Sequence, residues 1–258
     1  MQREKVVEFI VRWLKDYAEN AHAKGFVVGI SGGIDSALVG HLCAKTQTDV
    51  LLLNLPIRQH SEEYQRAAEQ IEALKAKFSN VRSAEVELTA AFETLEKTFL
   101  PEVTQQNLVM ANTRARLRML TLYAYGQANG LLVVGTGNKV EDFGIGFFTK
   151  YGDGGVDLSP IADLKKTEVY ALAETVGVIS SIQKAKPTDG LWDSQKHNDE
   201  DQIGASYPEL EWAMDFQGDE TTLTERQHEV LAIYRRLHRQ NQHKFNPIPV
   251  CKIPNELK

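Results

Sequence analysis

The sequence has few cysteines, no long apolar run and no excess of positive charge. Each of these features argues against a class of function. Only Cys43 and Cys251 occur among 258 residues, without CxxC or metal-ligand spacing. We expect buried thiols in a reducing cytoplasm, which argues against sulfur-transfer chemistry. No apolar stretch is long enough for a membrane span, and no secretory signal is apparent, so we expect no membrane partner.

The net charge favours a protein that acts on small molecules, and the absence of linkers and repeats favours a single domain. Lys and Arg total 29 against 35 Asp and Glu, a net charge of -6. A mildly acidic chain is a poor general binder of nucleic acid, so we expect no nucleic-acid partner. No linker or repeat interrupts the chain, which predicts one domain over 1–258, with a core at about 25–180, a lid at 184–205, and a C-terminal helix and tail at 225–258.

Short apolar runs alternate with helical patterns, beginning with an amphipathic helix at the amino terminus. The runs predict strands at 26–30, 50–55, 81–88 and 131–135. The patterns predict helices at 36–45, 61–78, 89–99, 108–129, 166–176 and 225–240. Such alternation indicates an α/β fold, a Rossmann-like parallel sheet with helices on both faces, whose ligands bind at the carboxyl ends of the strands. Residues 135–155 carry seven glycines and are predicted to form a functional loop region.

The segment SGGIDS (residues 31–36, the glycine loop) follows the first strand and opens a helix. Two adjacent glycines let backbone N–H groups converge, and the helix adds its unpaired N–H groups, which predicts a phosphate site. The lysine of a P-loop is missing, because no Lys lies between Gly29 and His41. Asp35 takes its place, which indicates Mg²⁺ between a carboxylate and phosphates. The alternative is a plain Gly-Gly turn capped by Asp35 or Ser36.

The predicted helix 108–129 carries three arginines within five residues. Arg114 and Arg118 share one face and Arg116 points elsewhere, so they form either a solvated face or forked donors for phosphate or carboxylate. A buried apolar stripe is predicted at Leu108, Ala111, Ala115, Met119 and Leu122.

Further candidates follow the fourth strand. Thr136 could contact nucleotide, and Glu141 could complete a Mg²⁺ site with Asp35. The aromatic pair before Lys150 could stack a ring, or could anchor a hairpin in the core. Asp153, in the glycine turn between Lys150 and Asp157, is a further candidate acid–base residue.

Five segments together resemble the ammonia-dependent NAD synthetases of the ATP pyrophosphatase superfamily. They are SGGIDS, NTRARLRM (112–119), GTGNKVED (135–142), FFTKYGDGGVDLSPIADLKKTEV (147–169) and PTDGLW (187–192). The resemblance covers most of residues 25–245. It implies an adenine nucleotide alpha hydrolase-like fold and a homodimer with the dinucleotide site at its interface. It also implies that deamido-NAD, ATP and ammonia become NAD, AMP and pyrophosphate through an acyl adenylate, with Mg²⁺.

The resemblance also implies roles for individual residues. ATP would be held by Gly29, Ile30, Ser31, Gly32, Gly33, Ile34, Asp35, Ser36, Thr136, Lys166 and Thr188. Deamido-NAD would be held by Arg116, Lys150, Asp157, His243 and Lys244, and Mg²⁺ by Asp35 and Glu141. Lys166 would stabilise the departing pyrophosphate, which makes it a catalytic candidate. For the ammonia that the resemblance implies, Asp153 is our candidate for binding ammonium or accepting its proton, because of its place in the glycine turn.

Three other functions stay open at this point. A glutamine-dependent NAD synthetase would need an amidase domain with a catalytic cysteine, for which 258 residues leave no room. A tRNA-adenylating enzyme would show salt-sensitive tRNA binding. A nucleotide sensor would keep the loop without releasing pyrophosphate.

Overall fold

A computed structural model describes residues 1–185 and 199–258. Its sheet has four parallel strands in the order β3-β2-β1-β4. They are β1 (Gly25–Gly29), β2 (Asp49–Asn54), β3 (Val81–Glu85) and β4 (Leu131–Val133). All four predicted strands are confirmed, but β3 and β4 end earlier than expected. After β4, the Val134 N–H still donates to the Val27 carbonyl of β1 at 3.1 Å, but Val134 pairs as an isolated bridge with Leu158.

Eleven α-helices and three short helices of other types are found in the described ranges. The α-helices are α1 (Arg3–Asn20), α2 (Ile34–Lys45), α3 (Ser61–Lys77), α4 (Thr89–Thr98), α5 (Pro101–Thr104), α6 (Asn107–Asn129), α7 (Lys166–Val176), α8 (Ser180–Gln183), α9 (Asp199–Ile203), α10 (Tyr207–Asp215) and α11 (Glu225–Phe245). A π-helix spans Lys139–Ile145, and 3₁₀-helices span Glu220–Thr222 and Asn255–Leu257. Within the described ranges no helix is both long and apolar enough to cross a membrane.

The helices cover both faces of the sheet, which confirms the predicted α/β class. On one face, Phe26 and Val28 of β1 pack with buried residues of α1, α2 and α7. On the other, Val27 packs with residues of α4 and α6, including Phe92 and Met110. Since successive strand residues point to opposite faces, burial on both sides explains the unbroken apolar runs.

A third apolar cluster joins the π-helix to α10 and α11, and includes Val140, Leu210 and Leu231. The prediction of a loop throughout 135–155 is therefore wrong for Lys139–Ile145, which form the π-helix. The Asn138 side chain accepts the N–H groups of Val140 and Glu141 at 3.1 and 3.0 Å and so starts the π-helix. Side chains of α11 then hold it in place.

Two further predictions need correction. The last helix runs to Phe245 rather than to 240, so His243 and Lys244 lie on α11 and not in a polar tail. The apolar stripe of α6 is buried at Ala111 and Ala115, but Leu108 is 63% exposed, because Met110 is the residue of this first turn that packs into the core.

Candidate active site

A cavity of about 280 Å³ lies at the carboxyl ends of β1, β2 and β4. The glycine loop, with Gly29 and Ile30, forms one wall, and Thr136 with its neighbouring glycines forms another. Asp153 and Lys166 also line it. The strand ends thus bring together segments more than a hundred residues apart, as expected for parallel sheets.

The glycine loop is held by its own hydroxyl groups. The Ser31 and Ser36 hydroxyl oxygens are 3.1 Å apart, Ser31 Oγ accepts the Gly33 N–H at 3.2 Å, and Ser36 Oγ donates to the Gly33 carbonyl at 3.1 Å. Gly32 has a φ of +84°, and a Cβ there would lie 2.5 Å from the Glu63 carbonyl oxygen. Only glycine fits this close approach of loop and helix.

The capped-turn alternative for this loop is wrong. The residue that caps α2 is Gly33, which makes no side-chain cap hydrogen bond. Asp35 lies inside the first turn and interacts with distant residues instead. The first N–H groups of α2 have no partner within the helix and remain suited to phosphate.

Asp35, Glu141 and Lys166 form a cluster at the floor of the cavity, the acid–lysine cluster. The Lys166 ammonium donates to Asp35 Oδ2 at 2.6 Å and to Glu141 Oε1 at 2.9 Å. The Lys166 side chain is only 4% exposed. Asn138 Nδ2 donates to the other oxygens, to Asp35 Oδ1 at 3.1 Å and Glu141 Oε2 at 2.7 Å. The predicted pairing of Asp35 with Glu141 is therefore present in the structure.

The charges of this cluster depend on one another. Burial alone would lower the pKa of Lys166, but the charges of Asp35 and Glu141 outweigh it and hold the pKa above its ordinary value. Burial raises the pKa of Asp35, and the charge of Glu141 adds to this while Lys166 opposes it. The lysine stays charged, and the three groups carry one net negative charge when both acids are ionised.

Tyr207, the first residue of α10, contacts both Glu141 and Lys166 of the acid–lysine cluster. Its hydroxyl donates to Glu141 Oε1 and lies 3.3 Å from Asp199 Oδ2, and its ring lies 4.9 Å from the Lys166 ammonium. Burial and the neighbouring carboxylates raise the pKa of Tyr207, so its hydroxyl stays protonated. Sequence reasoning missed Tyr207 and Asn138. Asn138 follows a strand end beside Thr136, which could have marked it, whereas no pattern marks Tyr207.

Asp153 lines the same cavity as the glycine loop. Its carboxylate accepts the Thr149 N–H at 3.0 Å. The residue is exposed in the single chain, while partial desolvation of its carboxyl raises the pKa of Asp153. Asp142 lies nearby, and desolvation together with the charge of Asp153 raises its pKa well above the ordinary value. The wall that holds our ammonium candidate is therefore acidic.

The residues expected to hold deamido-NAD lie outside the cavity lining. Arg116 is exposed, and its Nε donates to the Lys150 carbonyl at 3.4 Å. The Lys150 ammonium donates to the His243 carbonyl, and the Lys244 ammonium donates to the carbonyls of Gly146 and Phe148 at 2.7 and 2.9 Å.

Asp157 also lies away from the cavity. Its carboxylate accepts the Val133 N–H at 2.8 Å and the Tyr123 hydroxyl at 2.9 Å. Desolvation and this contact raise the pKa of Tyr123 to about 12. Thr188 lies outside the described residues, as does most of the predicted lid. The binding roles of these residues stay predictions.

The other two arginines of α6 have separate environments. Arg114 is buried, with its guanidinium carbon 4.5 Å from the centre of the Phe92 ring. Arg118 lines the cavity and donates to the Leu55 carbonyl at 3.0 Å and to Gln59 Oε1 at 2.9 Å. Neither is a solvated surface arginine.

Comparison with known proteins agrees with this geometry. The NAD synthase family matches residues 6–247. NH(3)-dependent NAD(+) synthetases of Finegoldia magna and Alkaliphilus oremlandii are 40% and 37% identical. The first match covers 82% of this chain and 84% of the relative, and the second covers 97% and 98%.

Solved structures match along nearly the whole chain. An NMN synthetase from Francisella tularensis has a TM-score of 0.84 at 33% identity, and 99% of each chain is covered. An NH3-dependent NAD synthetase from Campylobacter jejuni has a TM-score of 0.78 at 25% identity, and 98% of this chain and 100% of that chain are covered. The chain therefore belongs to the NAD synthase family, and it is a ligase.

Proposed function

We propose that the chain converts deamido-NAD, ATP and ammonia to NAD, AMP and pyrophosphate. The observation that carries this proposal is the acid–lysine cluster beside the glycine loop, at the floor of one cavity. It combines backbone donors for phosphate, two carboxylates and a buried ammonium. Such groups can bind a nucleotide triphosphate and stabilise charge that develops on it.

Mg²⁺ fits the donor set of this cluster. Asp35 and Glu141 direct carboxylate oxygens at one cation, the Lys166 ammonium. The described residues contain no cluster of three or more His, Cys, Asp or Glu that could hold a metal ion. Two carboxylates suit Mg²⁺, which proteins usually hold through one or two acids together with substrate phosphates. When bound there, Mg²⁺ would neutralise phosphate charge.

The first step would be adenylation of the nicotinate carboxylate. A carboxylate oxygen forms a bond to the α-phosphorus of ATP, and the bond from that phosphorus to the bridging oxygen breaks. The electron pair leaves with pyrophosphate, whose charge is stabilised by the N–H groups of the glycine loop and by Lys166. The product is an acyl adenylate.

The second step would be attack by ammonia. Nitrogen bonds to the activated carbonyl carbon and loses a proton to solvent, the bond from that carbon to the AMP oxygen breaks, and AMP leaves with the electron pair. Ammonium must first lose a proton, and Asp153 on the acidic wall is the group we assign to hold ammonium or accept that proton. The raised pKa of Asp153 brings it nearer to neutral pH, where a base is effective.

Asp153→Asn tests the second step. We expect it to lower the rate with ammonium at neutral pH by about tenfold or more, while adenylation continues. Asp163→Asn is a matched control, because that carboxylate is 95% exposed and, within residues 1–185 and 199–258, its ion pair is with Lys139 at the surface. A wild-type rate of NAD formation by Asp153→Asn would show that Asp153 neither binds ammonium nor accepts its proton.

Synthesis of NMN is a second candidate. The Francisella tularensis structure, whose match covers 99% of this chain and 99% of its own, is an NMN synthetase. In addition, the residues expected to hold the dinucleotide do not line the cavity of the single chain. Comparing kcat/KM for deamido-NAD and for nicotinate mononucleotide, with ammonium and with glutamine, separates the candidates. A preference of at least tenfold for the dinucleotide supports our first proposal.

A homodimer is part of this proposal. Leu108 and Leu120 of α6 are 63% and 61% exposed on the same helix as exposed Arg116. A partner copy there would cover the leucines and could bring the dinucleotide residues to a shared site. Sedimentation velocity should give a dimer, and Leu120→Asp should give a monomer. A cytoplasmic location is also proposed, since two free cysteines suit a reducing compartment; Cys43 is buried as expected, whereas Cys251 is exposed because it lies in the unpacked C-terminal tail.

A further inference from the structure

The cavity has three cationic side chains among its described lining residues, and they differ in what they already bind. Lys166 is paired with two carboxylates. Arg118 donates to a backbone carbonyl and to the Gln59 side chain. Arg66 pairs with no carboxylate of the described chain, and its single hydrogen bond there is donated by Nε.

Arg66 lies directly beside the glycine loop. It is half-buried on α3, and its Nε donates to the Gly32 carbonyl at 3.3 Å. The helix and loop are in tight contact, because a Cβ on Gly32 would lie 3.3 Å from the Arg66 Cβ and 2.5 Å from the Glu63 carbonyl oxygen. The guanidinium is thus anchored through Nε, while its two terminal nitrogens remain available to the cavity.

We propose that Arg66 binds the β- and γ-phosphates of ATP and then the departing pyrophosphate. A guanidinium presents two parallel donors that match phosphate oxygens, and its charge is independent of pH in the ordinary range. It supplies the positive charge that the P-loop lysine gives other nucleotide sites. Lys166 cannot supply all of it, since the acid–lysine cluster already carries a net negative charge when both acids are ionised.

The assignment rests on the proposed function and adds a prediction for the leaving group. When the bond between the α-phosphorus and the bridging oxygen breaks, pyrophosphate gains one negative charge. Arg66 would stabilise that charge, whereas AMP keeps the α-phosphate and would not contact it. Loss of Arg66 should therefore weaken pyrophosphate binding and leave AMP binding nearly unchanged.

Calorimetric titration with Mg-pyrophosphate and, separately, with AMP tests this difference. A charge-assisted hydrogen bond contributes enough that Arg66→Gln should raise the Kd for Mg-pyrophosphate roughly tenfold to a hundredfold. The Kd for AMP should change less than about twofold, and Arg66→Lys should recover part of the loss. Lys75→Gln is the control, because it removes one positive charge from an exposed position of the same helix.

Unchanged pyrophosphate affinity in Arg66→Gln overturns the assignment. A parallel loss of AMP affinity also overturns it, because it would mean that Arg66 only supports the loop. The thermal midpoint of each variant shows that it folds. Should the wild type form no NAD while its pyrophosphate affinity still depends on Arg66, the proposed function fails and the assignment of Arg66 stands. Should the wild type form NAD without that dependence, only the assignment fails.

Discussion

Replacing Lys166 by methionine should destabilise the fold by about 3–5 kcal/mol at neutral pH, as for other buried pairs that lose one partner. The structure supports this value for buried pairs rather than the smaller one of about 0–1 kcal/mol for exposed pairs. The ammonium is 2.6 Å from Asp35 Oδ2 and 2.9 Å from Glu141 Oε1, and the lysine side chain is 4% exposed. Methionine keeps the length of the side chain but leaves two carboxylates facing each other without a cation.

The pH dependence of this loss follows from the sign of the pKa change. Without Lys166, repulsion and burial raise the folded-state pKa of one carboxyl above its unfolded value, and burial already raises the pKa of Asp35 in the wild type. A raised pKa favours the folded state at low pH, and this advantage is lost as the pH rises through the folded-state pKa. The deficit of Lys166→Met relative to the wild type should therefore be largest near pH 8 and smaller near pH 5.

Urea unfolding at pH 8 and pH 5, with and without Mg²⁺, measures both effects. Lys139→Met is the control, because Lys139 pairs with Asp163 at the surface and should contribute less than about 1 kcal/mol. Mg²⁺ should stabilise Lys166→Met more than the wild type, since it would bind the two carboxylates that have lost their cation. Equal stability of Lys166→Met and wild type at pH 8 would refute the reasoning.

Three further predictions concern other parts of the molecule. Tyr207→Phe removes the donor to Glu141, so kcat should fall about tenfold with the KM for deamido-NAD unchanged; an unaltered kcat argues against this positioning role. Burial lowers the pKa of His41 to about 4, below its unfolded value, so its contribution is full above about pH 6.5 and is lost as the pH falls. Urea unfolding should show the wild type losing about 2 kcal/mol more than His41→Gln between pH 7.5 and pH 5, and equal losses contradict the burial argument. Gly32→Ala should cost about 1–3 kcal/mol and abolish pyrophosphate binding, because its Cβ would meet the Glu63 carbonyl; wild-type binding in calorimetry would show that the loop can shift.

The sheet was predictable because its strands are buried on both faces and therefore read as continuous apolar runs. The glycine loop was predictable as well, since Gly32 and Gly33 stand between a strand and a helix. The π-helix was not predictable, because Gly144 inside it opposes helix formation locally. Contacts from α11 hold it instead: His238 Nδ1 lies 2.6 Å from the Gly144 carbonyl oxygen, and Asn241 donates to the Ile145 carbonyl at 2.8 Å.

The site was predictable where its residues lie in a local motif, but not where distant residues meet. Asp35 was recognised from its place in the glycine loop, but its partner Lys166 is 131 residues away, and only the family resemblance connected them. Tyr207 and Arg66 act through the three-dimensional packing of α10 and α3, for which the sequence has no local pattern. Periodicity shows which face of a helix is buried, but not which distant group that face meets.

The most direct test of the proposed reaction follows oxygen from the nicotinate carboxylate. The purified chain is incubated with Mg-ATP, ammonium and deamido-NAD that carries ¹⁸O in that carboxylate. The products are analysed by mass spectrometry. We predict NAD together with AMP that contains one ¹⁸O atom, because the acyl adenylate breaks at its carbonyl carbon. Absence of NAD, or NAD formed with unlabelled AMP, would contradict the account.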